Sequence, residues 1–183
     1  MGMAAPVYWT AEQVRQLPDD GKRYEVVYGE LLVTPAPRLG HQLLVTRLSS
    51  ALFNYLESEP VGVLLTSPAD VSWGRSDVLV QPDVFVTTRE QARTDDWSRI
   101  RNLLLVVEVL SPSSLRADRF TKRRVYQEYG VPLYWVVDGE ARQVEVWPRD
   151  AEFPEIAHEQ LVWHPAGATR PFTLALAELF RPL

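Results

Sequence analysis

Residues 103–114 read LLLVVEVLSPSS, an apolar run that holds one carboxylate, Glu108, and closes on a serine–proline turn. A run this short, dense in Val and Leu and bounded by turn residues, predicts a central strand buried on both faces. An isolated ionised carboxylate there costs several kcal/mol unless it is paired, hydrogen-bonded or bound to a metal. Glu108 therefore needs a partner, and the rest of the chain is read for it.

Downstream of this strand, 118–129 predicts a helix that Gly130 caps. Strand 133–138 then turns at Asp138-Gly139-Glu140 into a second strand over 143–147. Strand-like pieces follow at 160–163 and 172–176. Upstream, 88–102 is polar and reads as a loop or short helix on the surface. Before it come short strands at 61–66, 69–73 and 77–87, the last interrupted by Gln81-Pro82-Asp83. The longest helix is predicted over 40–57, where Leu44, Leu48, Leu52 and Leu56 recur at helical spacing. Strands 24–27 and 30–34 flank Tyr28-Gly29 as a tight hairpin, and Thr10-Ala11-Glu12-Gln13 has the form of a capping box opening a helix over 11–16. This order predicts an α/β fold: one mixed central sheet with an αβββαβ core, an N-terminal hairpin and C-terminal strands, in a single domain over 1–183.

Composition narrows the chemistry. The chain has 183 residues and a net charge of −5, so it is not coated in positive charge, though a local basic patch is enough for nucleic acid. With no Cys, a disulfide or thiolate-bound metal is excluded, and any metal must take O or N ligands. No stretch is long enough to span a membrane. The opening MGMAAPVYWTAEQ lacks a basic segment followed by an apolar one, so a cytoplasmic location is expected. Positive charge rests on 17 Arg and only 2 Lys, Lys22 and Lys122, so a retained Lys hints that its distinct chemistry is needed.

Three residues converge on one function. Asp83 enters an apolar strand in QPDVFV, Glu108 lies in the central strand, and Lys122 follows one strand–turn–helix step later in DRFTKRRVYQEYG. Two carboxylates on neighbouring strand ends can share a hard divalent cation, Mg²⁺ or Mn²⁺. Such an ion lowers the pKa of a bound water and neutralises phosphodiester charge, while a Lys orients or deprotonates the water. Taken singly, Asp83 reads as a turn or cap group, Glu108 as half of a structural ion pair and Lys122 as a solvated helix residue; their order together carries the functional reading. Asp118, Lys122 and Tyr126 recur every four residues and share a helix face, either as a salt bridge over an aromatic or as a pair aiming Lys122 at Glu108. Glu25 on the first hairpin strand and His41 opening the long helix are auxiliary candidates. Residues 111–130 carry five cations, Arg116, Arg119, Lys122, Arg123 and Arg124, against Asp118 and Glu128; this is either a phosphate-tracking patch or a solvated face.

An Asp, a central-strand Glu and a later basic residue in αβββαβ order resemble the PD-(D/E)XK nuclease superfamily. Pro82-Asp83 supplies the PD, and Glu108-Val109-Leu110 occupies the (D/E)XK slot with Leu where Lys belongs. Within it the chain resembles the Uma-type family of small bacterial restriction endonuclease-like proteins, long labelled a domain of unknown function. The resemblance rests on RYEVVYGEL, Gly40-His41, QPDV, VVEVLSPSS, the Asp118–Lys122–Tyr126 spacing, GVPLYWVVD and LALAELF. It implies DNA as substrate, Mg²⁺ or Mn²⁺ on Asp83 and Glu108, and Lys122 as a lysine migrated from the strand slot. An extra acid at Glu25 and, for double-strand cleavage, a homodimer are expectations by analogy. Two alternatives stay open: an inactive nucleic-acid-binding or protein-interaction module on the same fold, which Leu110 and the acidic net charge suggest, and a hydrolase of a small phosphate substrate.

Overall fold

The structure is a computed structural model that describes residues 7–182. The reading of the N-terminus for a leader falls partly on residues 1–6, which lie outside the described residues. Helix α1 (Ala11–Arg15) opens on the expected capping box, with Thr10 and Gln13 bonding each other's backbone. The hairpin of β1 (Arg23–Val27) and β2 (Glu30–Thr34) turns at Tyr28-Gly29, both at positive φ, which suits a two-residue turn. Helix α2 (Leu39–Ser58) buries Leu48, Leu52 and Leu56, as its spacing predicts. Strands β3 (Val63–Thr66), β4 (Val78–Leu79) and β5 (Val84–Thr87) follow.

Two upstream expectations need correcting. Segment 69–73 is not a strand; it makes one isolated bridge, Val71 to Val80. Segment 77–87 is two strands rather than one: β4 joins the N-terminal hairpin while β5 enters the main sheet. Pro82, which has no N–H to donate, sits at the break.

The polar segment 88–102 forms the short α3 (Arg89–Ala92) and a single 3₁₀ turn, Trp97–Arg99. Strand β6 (Leu103–Val109) is central, antiparallel to β5 on one side and parallel to β7 (Leu133–Asp138) on the other. The helix between them departs from expectation. It winds as a π-helix over Ala117–Lys122 before continuing as α4 (Arg123–Glu128). Tyr134 Oη donates to the Asp118 carbonyl at 2.9 Å, so a partner outside the helix holds the widened turn. Strand β8 (Gln143–Pro148) pairs with β7, and β9 (Glu155–Ala157), short and half exposed, extends the sheet without a clear pattern in the sequence. Strands β10 (Gln160–Trp163) and β11 (Phe172–Ala175) form a separate ribbon, and the final LAEL is helix α5 (Leu176–Leu179).

The sheet order is β3-β5-β6-β7-β8-β9, with the β6–β7 pair alone parallel; this is the mixed α/β architecture the sequence predicts. Its alternation divides two cores. Val84, Val86, Leu105, Val107, Val109, Trp135 and Val137 face α2 and the C-terminal ribbon. Phe85, Val106, Tyr134 and Val136 face α4 and the three-stranded sheet β2-β1-β4. Glu108, one step from Val107 and Val109, must face the second core. Among the described residues no helix is long and apolar enough to cross a membrane.

Candidate active site

The carboxylates meet because of register. Val84 pairs with Val107, so Asp83, one residue before β5, falls beside Glu108. Asp83 Oδ2 accepts the Val109 N–H at 2.8 Å and lies 3.1 Å from His41 Nε2 in the first turn of α2. Its other oxygen, Oδ1, accepts from Arg23 Nη2 at 2.8 Å. Burial works to raise the carboxyl, but the His41 bond, the Arg23 guanidinium and the Lys122 ammonium outweigh it and hold Asp83 far below the ordinary carboxylate range.

Glu108 has the opposite balance. Its Oε1 accepts from Tyr126 Oη at 2.7 Å and from Lys122 Nζ at 3.2 Å. Lys122 Nζ also lies 2.9 Å from Glu25 Oε2 and 3.2 Å from Asp118 Oδ1, so three buried carboxylates share one ammonium. Burial is the largest influence on Glu108 and raises it; Lys122 opposes, while the Asp118, Asp83 and Glu25 carboxylates add to the rise, and Glu108 ends well above the usual range. Asp118 is raised by burial in the same way. Burial alone would lower Lys122, but Glu108, Glu25 and Asp118 reverse this and hold it charged. Glu25 hangs from β1 and is fixed from its other oxygen by the Gln81 N–H at 2.7 Å. The i,i+4 salt bridge and the aiming of Lys122 at Glu108 thus coexist, and Tyr126 is a hydrogen-bond donor as well as a packed ring.

A cavity of about 150 Å³ opens over this cluster, lined by Asp83, Glu108, Asp118, Lys122, His41 and Arg23 among others. At roughly 30 Å³ per water it holds a few waters or a hydrated ion, not a nucleotide. Among the described residues nothing donates a hydrogen bond to Glu108 Oε2, and it is not among the enclosed unpartnered atoms, so it faces this space. Four carboxylates here (Glu25, Asp83, Glu108, Asp118) face three permanent cations: Arg23 and Lys122, which pair with them, and Arg38 on the cavity wall. The surplus of negative charge calls for protons or a cation. Among the described residues no three acidic or histidine side chains converge to hold a metal ion on their own. Both Asp83 oxygens and Glu108 Oε1 already take protein partners, so an ion here would share these hard carboxylate oxygens with them and fill the rest of its shell with water.

All seven residues singled out in the sequence, Glu25, His41, Asp83, Glu108, Asp118, Lys122 and Tyr126, fall within this one cluster. Arg23 was missed, although it sits two residues before Glu25 on the same face of β1, a period-2 signal. Arg38, on the cavity wall just before α2, carried no such signal. The basic patch over 111–130 is largely spent internally. Lys122 is buried, Arg119 is held by Glu145 at 2.6 Å and Asp138 at 3.0 Å, and Arg123 lies over the Trp147 ring. Arg116 and Arg124 stay exposed.

A family model described as "Uma2: Putative restriction endonuclease" matches residues 11–177. A crystal structure titled as a putative nuclease belonging to DUF820, from Anabaena variabilis ATCC 29413, shares the fold with a TM-score of 0.77 at 19% identity, over 93% of this chain and 97% of that one. No curated protein matches the chain.

Proposed function

Since the chain belongs to the Uma2 family of restriction endonuclease-like proteins, we propose that it is a metal-dependent endonuclease that hydrolyses DNA phosphodiester bonds. The observation that carries this reading is the surplus of buried carboxylate beside a small cavity that Glu108 and Asp83, neighbours by strand register, both line. Asp83 and Glu108 would hold the ion. Bound Mg²⁺ or Mn²⁺ would supply a water of lowered pKa and neutralise charge on the scissile phosphate. Arg23, His41 and the Val109 N–H fix the Asp83 carboxylate, so its oxygens are set before a substrate arrives. Lys122 keeps its proton among three acids, which suits charge neutralisation and orientation of the attacking water better than proton abstraction. Tyr126 and Asp118 position Lys122 and Glu108 rather than touch substrate.

The test is cleavage of supercoiled and linear DNA with Mn²⁺, Mg²⁺ or EDTA, by the wild type and Glu108→Gln. Metal-dependent nicking that the folded variant loses is the expected result. Equal cleavage by the variant, or cleavage in EDTA, would sink the proposal. One observation favours the alternative of a binding module: Glu108 Oε1 is already satisfied by Lys122 and Tyr126 without an ion. Titration of Mn²⁺ into the wild type separates the two, since a module of that kind takes up no metal at Glu108.

A further inference from the structure

Beside the carboxylate cavity lies a larger groove of about 710 Å³. The two share a wall built from Arg38, His41, Ser111 and Pro112, so one ligand can occupy both. At this size the groove takes an organic group such as a base with its sugar, which the smaller cavity does not.

Its lining combines two chemistries. Leu43 and Leu44 of α2, Leu110, Leu115 and Phe180 give it an apolar floor. Five arginines border it against two carboxylates, Asp138 and Glu140. Of these, Arg119 is neutralised by Asp138 and Glu145, and Arg181 by Glu178. Arg38 and Arg142 have no carboxylate partner among the described residues, and Arg47 donates to the backbone carbonyls of Leu179, Arg181 and Pro182. The start of α2 adds to the positive end. Arg38 makes no side-chain cap bond there, and Gly40 stands in open space on the groove wall.

Leu110 now has a use. It follows the end of β6, two residues after Glu108, and lines this groove instead of the carboxylate cavity. A duplex presents phosphates and sugars outward and keeps its bases stacked, so an apolar floor offers it nothing. An unpaired strand presents base faces as well as phosphates, and a positively charged groove with an apolar lining matches both.

We propose that this groove binds an unpaired segment of DNA, with Arg38 at the shared wall holding the phosphate next to the carboxylate cavity and Arg142 an outer phosphate. The inference rests on the nuclease reading above but is tested by binding, not cleavage. The experiment is fluorescence anisotropy of a labelled single-stranded 12-mer, the same 12-mer as duplex, and a 12-mer with abasic sites, all in Ca²⁺. The expected result is single-strand binding roughly tenfold tighter than duplex, with abasic sites weakening it. Arg142→Ala should weaken it roughly fivefold and lower the slope of log affinity against log salt by about 0.7. Leu115→Ser should weaken single-strand binding without changing that slope, which separates a lost apolar contact from a misfolded protein. Duplex binding as tight as single-strand binding overturns the proposal, as does equal affinity for the abasic strand or no binding at all. Cleavage is read separately, in Mn²⁺, on the wild type. Single-strand binding with no cleavage by the wild type would remove only the nuclease, whereas metal-dependent cleavage without single-strand preference would remove only the groove.

Discussion

Asp83 and Glu108 are neighbouring carboxylates, both almost wholly buried, yet the protein drives them in opposite directions. Asp83 collects donors from three separate elements: a guanidinium from β1, an imidazole from α2 and a backbone N–H from β6. Glu108 collects one phenol and one third of an ammonium, and it faces two further acids across that ammonium. Burial alone therefore does not set the charge of a buried acid; the ratio of donors to acceptors around it does. The Asp83 side is over-supplied with donors and is rigid and anionic. The Glu108 side is under-supplied and is where a proton or a cation should enter.

The sharpest way to break this contrast is to remove the shared ammonium. Lys122→Met leaves Glu25, Glu108 and Asp118 buried without the ammonium they share. Stripping one partner from a buried ionic group costs about 3–5 kcal/mol. Urea denaturation at pH 7 should show that loss, and it should shrink at pH 5, because burial raises Glu108 and Asp118 and favours their protonated forms. A loss under about 1 kcal/mol at pH 7 would mean that Lys122 does not balance the acids around it.

On the other side, Asp83→Asn should cost less, about 2–3 kcal/mol at pH 7, since it weakens charge-assisted bonds from Arg23 and His41 without abandoning three charges. The sign with pH is fixed by the direction of its shift. A carboxyl held below its unfolded value contributes stability above that value and loses it as pH falls through the folded one. The gap between wild type and variant in urea should thus narrow from pH 7 to pH 3. A gap that stays constant would assign the cost to geometry instead of charge.

How much of this was legible in the sequence follows from the same contrast. The frame was readable, because β6, α2, β7 and the hairpin each announce themselves by period or turn chemistry. The acids were readable because a Glu in VVEV or an Asp after Pro is out of place on energetic grounds. What the sequence hid depends on depth. Nothing in DRFTKRR signals that a widened helical turn pulls Asp118 and Lys122 into the core, since their i,i+4 spacing also fits a solvated salt bridge. The basic run over 111–130 looked like a surface patch because charges were counted without the acids of β7 and β8, Asp138 and Glu145, that hold Arg119. Strand 69–73 was expected from composition, but its partner is a single residue, Val80, so the pairing never propagates.

The smallest expected effect is the most informative about the surplus. In EDTA, Glu108→Gln removes an acid whose folded pKa is raised. Such a group contributes stability below its unfolded value, about 4.5, and that contribution is lost as pH rises toward the folded one. The wild type should accordingly lose more stability than the variant as pH rises above about 4.5, and at pH 8 the variant should be equal or more stable. Mn²⁺ should then reverse the order, stabilising the wild type at pH 8 and leaving Glu108→Gln unmoved, because a cation that needs the ionised carboxylate displaces the proton there. If the variant is instead less stable at every pH and Mn²⁺ shifts neither protein, Glu108 is an ordinary ion-pair partner of Lys122, and the asymmetry between the two carboxylates serves the fold alone.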